Sequence, residues 1–238
     1  TAPGGWSGIL QSAGLLFFAF AGYARLATLG EEVADPERTI PRAIPLALGL
    51  TLLIYVAVAV TALLAVGPDR LAESPAPLDT VVRAGSLDGL APFVRIGGVL
   101  AALGVLLSLI AGVSRTAFAM AASGDLPRWL DAVHPRHRVP HHAELAVGGV
   151  VVAVVLVADL RGAIGFSSFT VLTYYAIANA SAWTLRPGER RWPRPLAVIG
   201  LVGCGVLALT LPGGSVVGGV IVLALGGAVW WVRQRRAR

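Results

Sequence analysis

The 238-residue chain is 56% hydrophobic and 13% charged, with a mean hydropathy of +0.76, and its charges gather in short segments between long apolar runs. That patterning sets a bilayer as the surroundings, and no soluble domain is present. All 19 basic residues are arginine, and the formal net charge of +6 lies between the apolar runs, where it reads as membrane orientation and anionic headgroup contact rather than nucleic-acid binding; the lack of lysine also excludes a retinal Schiff base, P-loop chemistry and pyridoxal chemistry.

The apolar runs predict seven transmembrane helices near residues 7–30, 42–66, 92–115, 143–158, 163–185, 195–211 and 214–233, in one transmembrane domain over 1–238. Their Gly content, and the absence of sustained period-two alternation, favour an all-α polytopic protein over an outer-membrane barrel. With Thr1 outside, 14 arginines fall in cytoplasmic segments, Arg70, Arg83, Arg95 and Arg161 fall outside, and Arg25 lies within a span, so the C-terminus is expected in the cytoplasm. No signal peptide precedes the first span, and a C-terminal fragment is the expected origin of an outside start.

Trp6 and Ser7 open the first span, as an interfacial aromatic and an N-cap. Its middle, Phe17-Phe18-Ala19-Phe20-Ala21-Gly22-Tyr23, gives little shielding to the backbone and lowers the cost of leaving helical geometry. Two readings stand: a discontinuous helix of the kind that forms midplane substrate sites, and a Gly/Ala face for close helix packing. After Glu31-Glu32, Asp35-Pro36 predicts a short interfacial helix, with Pro41 and Pro45 marking the next span. Residues 67–92, with four prolines and four acids against two arginines, form a long extracellular loop. Residues 114–142 form the long cytoplasmic loop, with a turn at Ser123–Pro127, Trp129 as an interfacial anchor and a short surface helix near Pro127–Val133. Asp159–Gly162 is an outside turn, Arg186–Pro195 a basic inside turn, and Arg233–Arg238 a stop-transfer tail. Cys204 is expected to pack within its span.

Two stretches resemble a known family. Phe17–Tyr23 with Glu31-Glu32-Val33-x-Asp35-Pro36-x-Arg38-x-Ile40-Pro41-x-Ala43-Ile44 resembles the sixth helix and following loop of amino acid/polyamine/organocation permeases, in the cationic-amino-acid-transporter-like branch. Ser114-Arg115-x-x-Phe118-Ala119-Met120-Ala121, with Gly124-Asp125-Leu126-Pro127 and Val133-His134-Pro135-Arg136, resembles the end of the eighth helix and the loop to the ninth. The resemblance covers nearly the whole chain as helices six to twelve, and it implies the second half of an inverted-repeat, leucine-transporter-type fold. It implies further that carbonyls at Phe18, Ala19 and Ala21 hold the substrate ammonium group, that Phe20 and Gly22 belong to the same broken segment, that Tyr23 is the aromatic gate, and that Tyr55 stands at the pocket wall; from the residues alone Tyr23 reads equally as a core or interface tyrosine. The chain departs from the pattern at Ala24, where many relatives have an acid, and at Arg25, where they have a small residue.

Arg25 lies about 9 Å of helix rise from Glu31, so substrate contact and snorkelling or pairing at the helix end both stay open. Glu31 and Glu32 sit beside basic loops and are expected to form a charge network with Arg38, Arg42 or Arg115 rather than an acid pair for proton work. Ser108, Ser114 and Thr116 either contribute hydroxyls to a sodium site or cap helix carbonyls. His134, His137, His141 and His142 are not expected to bind a metal, and no cofactor is expected beyond a coupling ion, H+ or Na+. The expected function is secondary active transport of an amino acid, polyamine or related organic cation across the plasma membrane by alternating access, completed by a missing N-terminal half of the polypeptide. The alternative is a seven-helix receptor or sensor; an enzyme is not expected, since the acids are scattered through loops.

Overall fold

A computed structural model describes residues 4–23, 33–85, 88–190 and 192–236. Among the described residues all regular structure is helical: α1 (Gly5–Leu16), a 3-10 segment (Phe17–Tyr23), α2 (Pro36–Val66), α3 (Pro68–Glu73), α4 (Pro77–Ala84), a 3-10 turn (Asp88–Leu90), α5 (Ala91–Ala122), a second turn (Arg128–Leu130), α6 (His141–Val157), α7 (Leu160–Thr184), α8 (Arg194–Thr210) and α9 (Gly213–Arg236). Four helical stretches, Gly5–Gly22, Pro36–Val66, Asp88–Ala122 and Gly213–Val232, are long and apolar enough to cross a bilayer, and α6 and α8 are shorter apolar helices. Large side chains such as Leu64, Leu156 and Val157 are exposed along these helices. Apolar faces of that extent are incompatible with water, and the protein is an all-α, multi-pass membrane protein.

The chain divides into two compact units, Thr1–Pro45 with Ala158–Arg238, and Leu46–Val157. The first is organised around α7, which packs against α8, α9, α1 and the 3-10 segment. Asp159 caps α7, its carboxylate accepting from the Gly162 N–H at 2.8 Å. This helix carries Ser, Thr, Tyr and Asn among its apolar residues and has the largest buried set, Gly165, Ser168, Phe169, Leu172 and Tyr175. Of its polar residues, Ser168 and Tyr175 are buried in protein and Ser167, Thr170, Thr173 and Asn179 are half-buried, while Tyr174, Ser181 and Thr184 are exposed. Phe169 and Leu172 form the core with Ala208 and Leu211, and Leu15, Phe17, Cys204, Leu207 and Val216 pack around them. Ring carbons of Phe169 occupy the place a Cβ at Gly219 would take, and the Asn179 side chain does the same at Gly200. Glycine at those two points lets α9 and α8 approach α7 closely.

In the second unit α5 packs against α6, α4 and the turn at Arg128–Leu130. α5 runs 32 residues, two turns past the 92–115 span expected for it, because the helical pattern continues through Thr116–Ala122. It stops at a Schellman motif: Gly124 takes φ 81°, the Asp125 N–H donates to Met120 O at 2.7 Å, and the Gly124 N–H donates to Ala121 O at 3.0 Å. Four other expectations change. Pro36–Val66 is one continuous helix with Pro41 and Pro45 inside it, each proline giving up a single backbone hydrogen bond near the helix start instead of ending a separate helix. The 67–92 segment contains two short helices, both begun by proline at the first turn. The surface helix near Pro127–Val133 is only a three-residue turn, and α1 is capped at Gly4 (φ 88°) rather than at Ser7, whose hydroxyl donates back to Gly4 O.

Candidate functional site

The α-helical hydrogen-bond pattern of α1 ends at Leu16, and Phe17–Tyr23 continues as a seven-residue 3-10 segment. Runs of this length are uncommon because the tighter turn strains the hydrogen bonds, and a change of helix type in mid-span shifts which carbonyls remain available. The segment is held on one side by α7. Tyr175, buried at 6% exposure, donates its hydroxyl to the Ala21 carbonyl at 3.2 Å, and its ring meets Phe17 edge-on at 5.7 Å between centroids. Of the three carbonyls the resemblance nominates, Ala21 accepts a hydrogen bond from the protein itself, through Tyr175. Phe18 is 44% exposed, Ala19 is exposed, and Phe20 and Ala21 are half-buried. Gly22 has an ordinary negative φ, and a Cβ there would meet no described atom within 4 Å. Of Tyr23 only the backbone, at the end of the 3-10 segment, is described.

Tyr175 was not singled out from the sequence. Its signal is the Tyr174-Tyr175 pair in a helix of unusual polarity, but only the structure turns Tyr175 inward and leaves Tyr174 58% exposed.

The charge-network candidates separate. Arg25, Glu31 and Glu32 lie outside the described residues. Arg38 reaches Asp35 at 3.8 Å with both side chains largely exposed, an ion pair worth about 0–1 kcal/mol. Arg115 is exposed on α5 and Tyr55 is 43% exposed on α2, both in the second unit. Ser108 and Ser114 lie six residues apart on α5, about 120° around the helix axis; Ser108 is exposed and Ser114 is fully buried, its hydroxyl without a partner among the described residues. Thr116 donates to Gly112 O at 3.1 Å, the carbonyl-capping alternative.

A carboxylate cluster lies elsewhere in the second unit. Asp79 of α4, 7% exposed, receives both Arg95 Nε and Nη2 at 2.8 Å and Arg83 Nε at 2.9 Å. The Arg95 hydrogen bonds hold its carboxyl below the ordinary carboxylate range; loss of solvation opposes them, and Arg83 adds to the lowering. The histidines fold their loop. His134 Nδ1 accepts from the N–H groups of Arg136 and His137, and His142 stacks on Trp129 at 4.7 Å while meeting its carbonyl at 2.9 Å.

Residues 1–189 match the sequence model of the family described as Amino acid permease. The chain belongs to the amino acid permease family. This places it in the amino acid/polyamine/organocation superfamily that its motifs resemble. It is 61% identical over 234 residues to a protein described as an uncharacterized transporter in Mycobacterium tuberculosis (strain ATCC 25618 / H37Rv), covering 97% of this chain and 53% of that one. It is 24% identical over 242 residues to the branched-chain amino acid permease BcaP of Bacillus subtilis (98% and 52%) and 32% identical over 186 residues to cationic amino acid transporter 4 of Homo sapiens (78% and 29%). The chain thus spans about half the length of the first two relatives. The family match takes in the 3-10 segment of the permease and every helix through α7.

Proposed function

We propose that this permease chain is the second half of a secondary active transporter that moves an amino acid or related organic cation across the plasma membrane by alternating access, with its C-terminus in the cytoplasm. The observation that carries the reading is the break at Phe17, where an α-helix becomes a 3-10 segment inside a stretch long and apolar enough to span a bilayer. A change of helix type at membrane depth is tolerated where the backbone lines a cavity or is buried in protein, and broken helices of this kind form midplane substrate sites. The names of the relatives, a branched-chain amino acid permease and a cationic amino acid transporter, support an amino-acid substrate. Phe18, Ala19, Phe20, Ala21, Gly22 and Tyr23 are assigned to the substrate side of the site. Coupling is to H+ or Na+, with the buried hydroxyl of Ser114 the better-placed of the serine candidates.

The complete protein, reconstituted into liposomes, is tested with labelled leucine, isoleucine, arginine, lysine and putrescine under a proton or a sodium gradient. Saturable uptake of at least one, driven by one gradient and competed by its unlabelled form, is the expected result. Folded protein that moves none of them under either gradient removes the reading.

A further inference from the structure

We propose that the α7–α8 edge of the first unit is a binding site for the phosphate headgroup of an anionic phospholipid. A cavity of about 240 Å³ opens between the end of α7 and the start of α8, with Asn179, Arg190, Trp192 and Arg194 among its lining residues. The connecting segment is strongly basic: Arg186, Arg190, Arg191 and Arg194 stand against a single acid, Glu189. Glu189 is already engaged, its carboxylate accepting from the Arg186 N–H at 3.0 Å. Among the described residues no carboxylate pairs with Arg190 or Arg194. Arg190 Nε donates to the Arg186 carbonyl at 3.4 Å, so two guanidinium groups line one cavity with no paired carboxylate among the described residues, and a phosphate accepts from such forks in bidentate geometry.

The aromatic residues set the depth. Arg194 lies over the Trp183 ring, 5.4 Å from its centroid, and Trp183 and Trp192 are both exposed. Tryptophan at this level of a spanning helix sits among lipid headgroups, and the cation–π contact keeps the guanidinium at that height. α7 packs against both α8 and α9, and if each of the three crosses the bilayer in turn, the end of α9 returns to the side of the 185–193 segment. A second pair stands there: Arg235 lies over Trp231 at 3.6 Å. Two arginine–tryptophan pairs on one side of a unit mark a headgroup layer, and the first of them borders the cavity. Basic pockets between spanning helices on the arginine-rich side take acidic headgroups, whereas a zwitterionic headgroup brings its own cation and gains little.

The site is independent of the transported substrate. The test uses the complete protein in nanodiscs of phosphatidylcholine with increasing phosphatidylglycerol, read by Tm and by photocrosslinking from a phosphatidylglycerol with a photoactivatable headgroup. Phosphatidylglycerol is expected to raise Tm saturably, soluble glycerol phosphate to leave it unchanged, and the crosslink to map to Trp192 or its neighbours. R190Q/R194Q is expected to keep the Tm seen in pure phosphatidylcholine and to weaken the phosphatidylglycerol response, by about fivefold for each arginine removed. An undiminished response in that variant, a crosslink confined to other segments of the wild-type protein, or an equal effect of glycerol phosphate would overturn the proposal. Loss of Tm by the variant in pure phosphatidylcholine, with no wild-type crosslink near Trp192, would overturn it as well and would show that the arginines answer a protein carboxylate instead.

Discussion

At the residue scale one carbonyl ties the 3-10 segment to the rest of its unit. Tyr175 donates to Ala21 O from α7, 154 residues away in sequence, and joins the 3-10 segment to a buried helix. Tyr175→Phe keeps the ring contact with Phe17 and removes only the hydroxyl. The expected cost is one neutral hydrogen bond, about 0.5–1.5 kcal/mol, seen as a small fall in Tm of the purified protein, and a larger fall in uptake because the broken segment loses its anchor. Equal uptake with a lowered Tm would limit Tyr175 to packing. Gly22 offers the converse case. Its φ is ordinary and a Cβ meets no described atom, so Gly22→Val is expected to leave Tm within about 0.5 kcal/mol of stability yet abolish uptake by crowding the segment where substrate approaches. Unchanged uptake would remove that position from the site. The weak helix centre is legible from Ala19, Ala21 and Gly22 alone. Its partner is not, since adjacent tyrosines on one helix point about 100° apart and no local pattern says which of them faces inward.

Elements carry two further tests. α4 is tied to α5 through Asp79, a carboxylate whose folded value is pushed below normal by Arg95 first and Arg83 second. A depressed carboxylate stabilises the fold fully above its unfolded value of about 3.9 and loses that contribution as pH falls through the lower folded value. Hydrogen exchange at Pro77–Ala84 should therefore stay slow at neutral pH and accelerate only in strong acid. In Asp79→Asn it should be fast at both, because an amide cannot hold two guanidinium groups; slow exchange in the variant at neutral pH would show that apolar packing, not the ion pairs, fixes α4. At the other unit, Gly219→Ala puts a methyl group where the buried Phe169 ring sits, and overpacking of that kind costs about 1–3 kcal/mol. A lowered Tm is expected, recovered in part by Phe169→Leu. These tethers explain which elements the sequence could supply. The end of α5 could be read only as a motif, although Gly124 is there to take a left-handed turn, and the 67–92 segment reads as a loop because Asp79 and Arg95 are 16 residues apart with no periodic spacing to join them.

At the scale of the whole molecule the open question is which side each arginine-rich segment faces. α6 has 17 residues, about 26 Å of rise against a hydrocarbon core of about 30 Å, so it lies at the short limit for a crossing. The two-residue link Ala158-Asp159 joins it tightly to α7. If α5, α6 and α7 each cross, Ala72 in α3 and Gly188 in the basic turn lie on opposite faces of the membrane, and the distribution of arginines puts Ala72 outside. Single cysteines at these positions in a Cys204→Ser background, challenged on intact cells with a membrane-impermeant maleimide, read this directly. Ala72→Cys is expected to label at once and Gly188→Cys only after permeabilisation. The reverse pattern would invert the orientation and place the arginine–tryptophan edge in the outer leaflet. Labelling of both from outside would mean an even number of crossings between the two positions, so that one of α5, α6 and α7 does not span, and α6, with 17 residues against 32 and 25, is the shortest of the three.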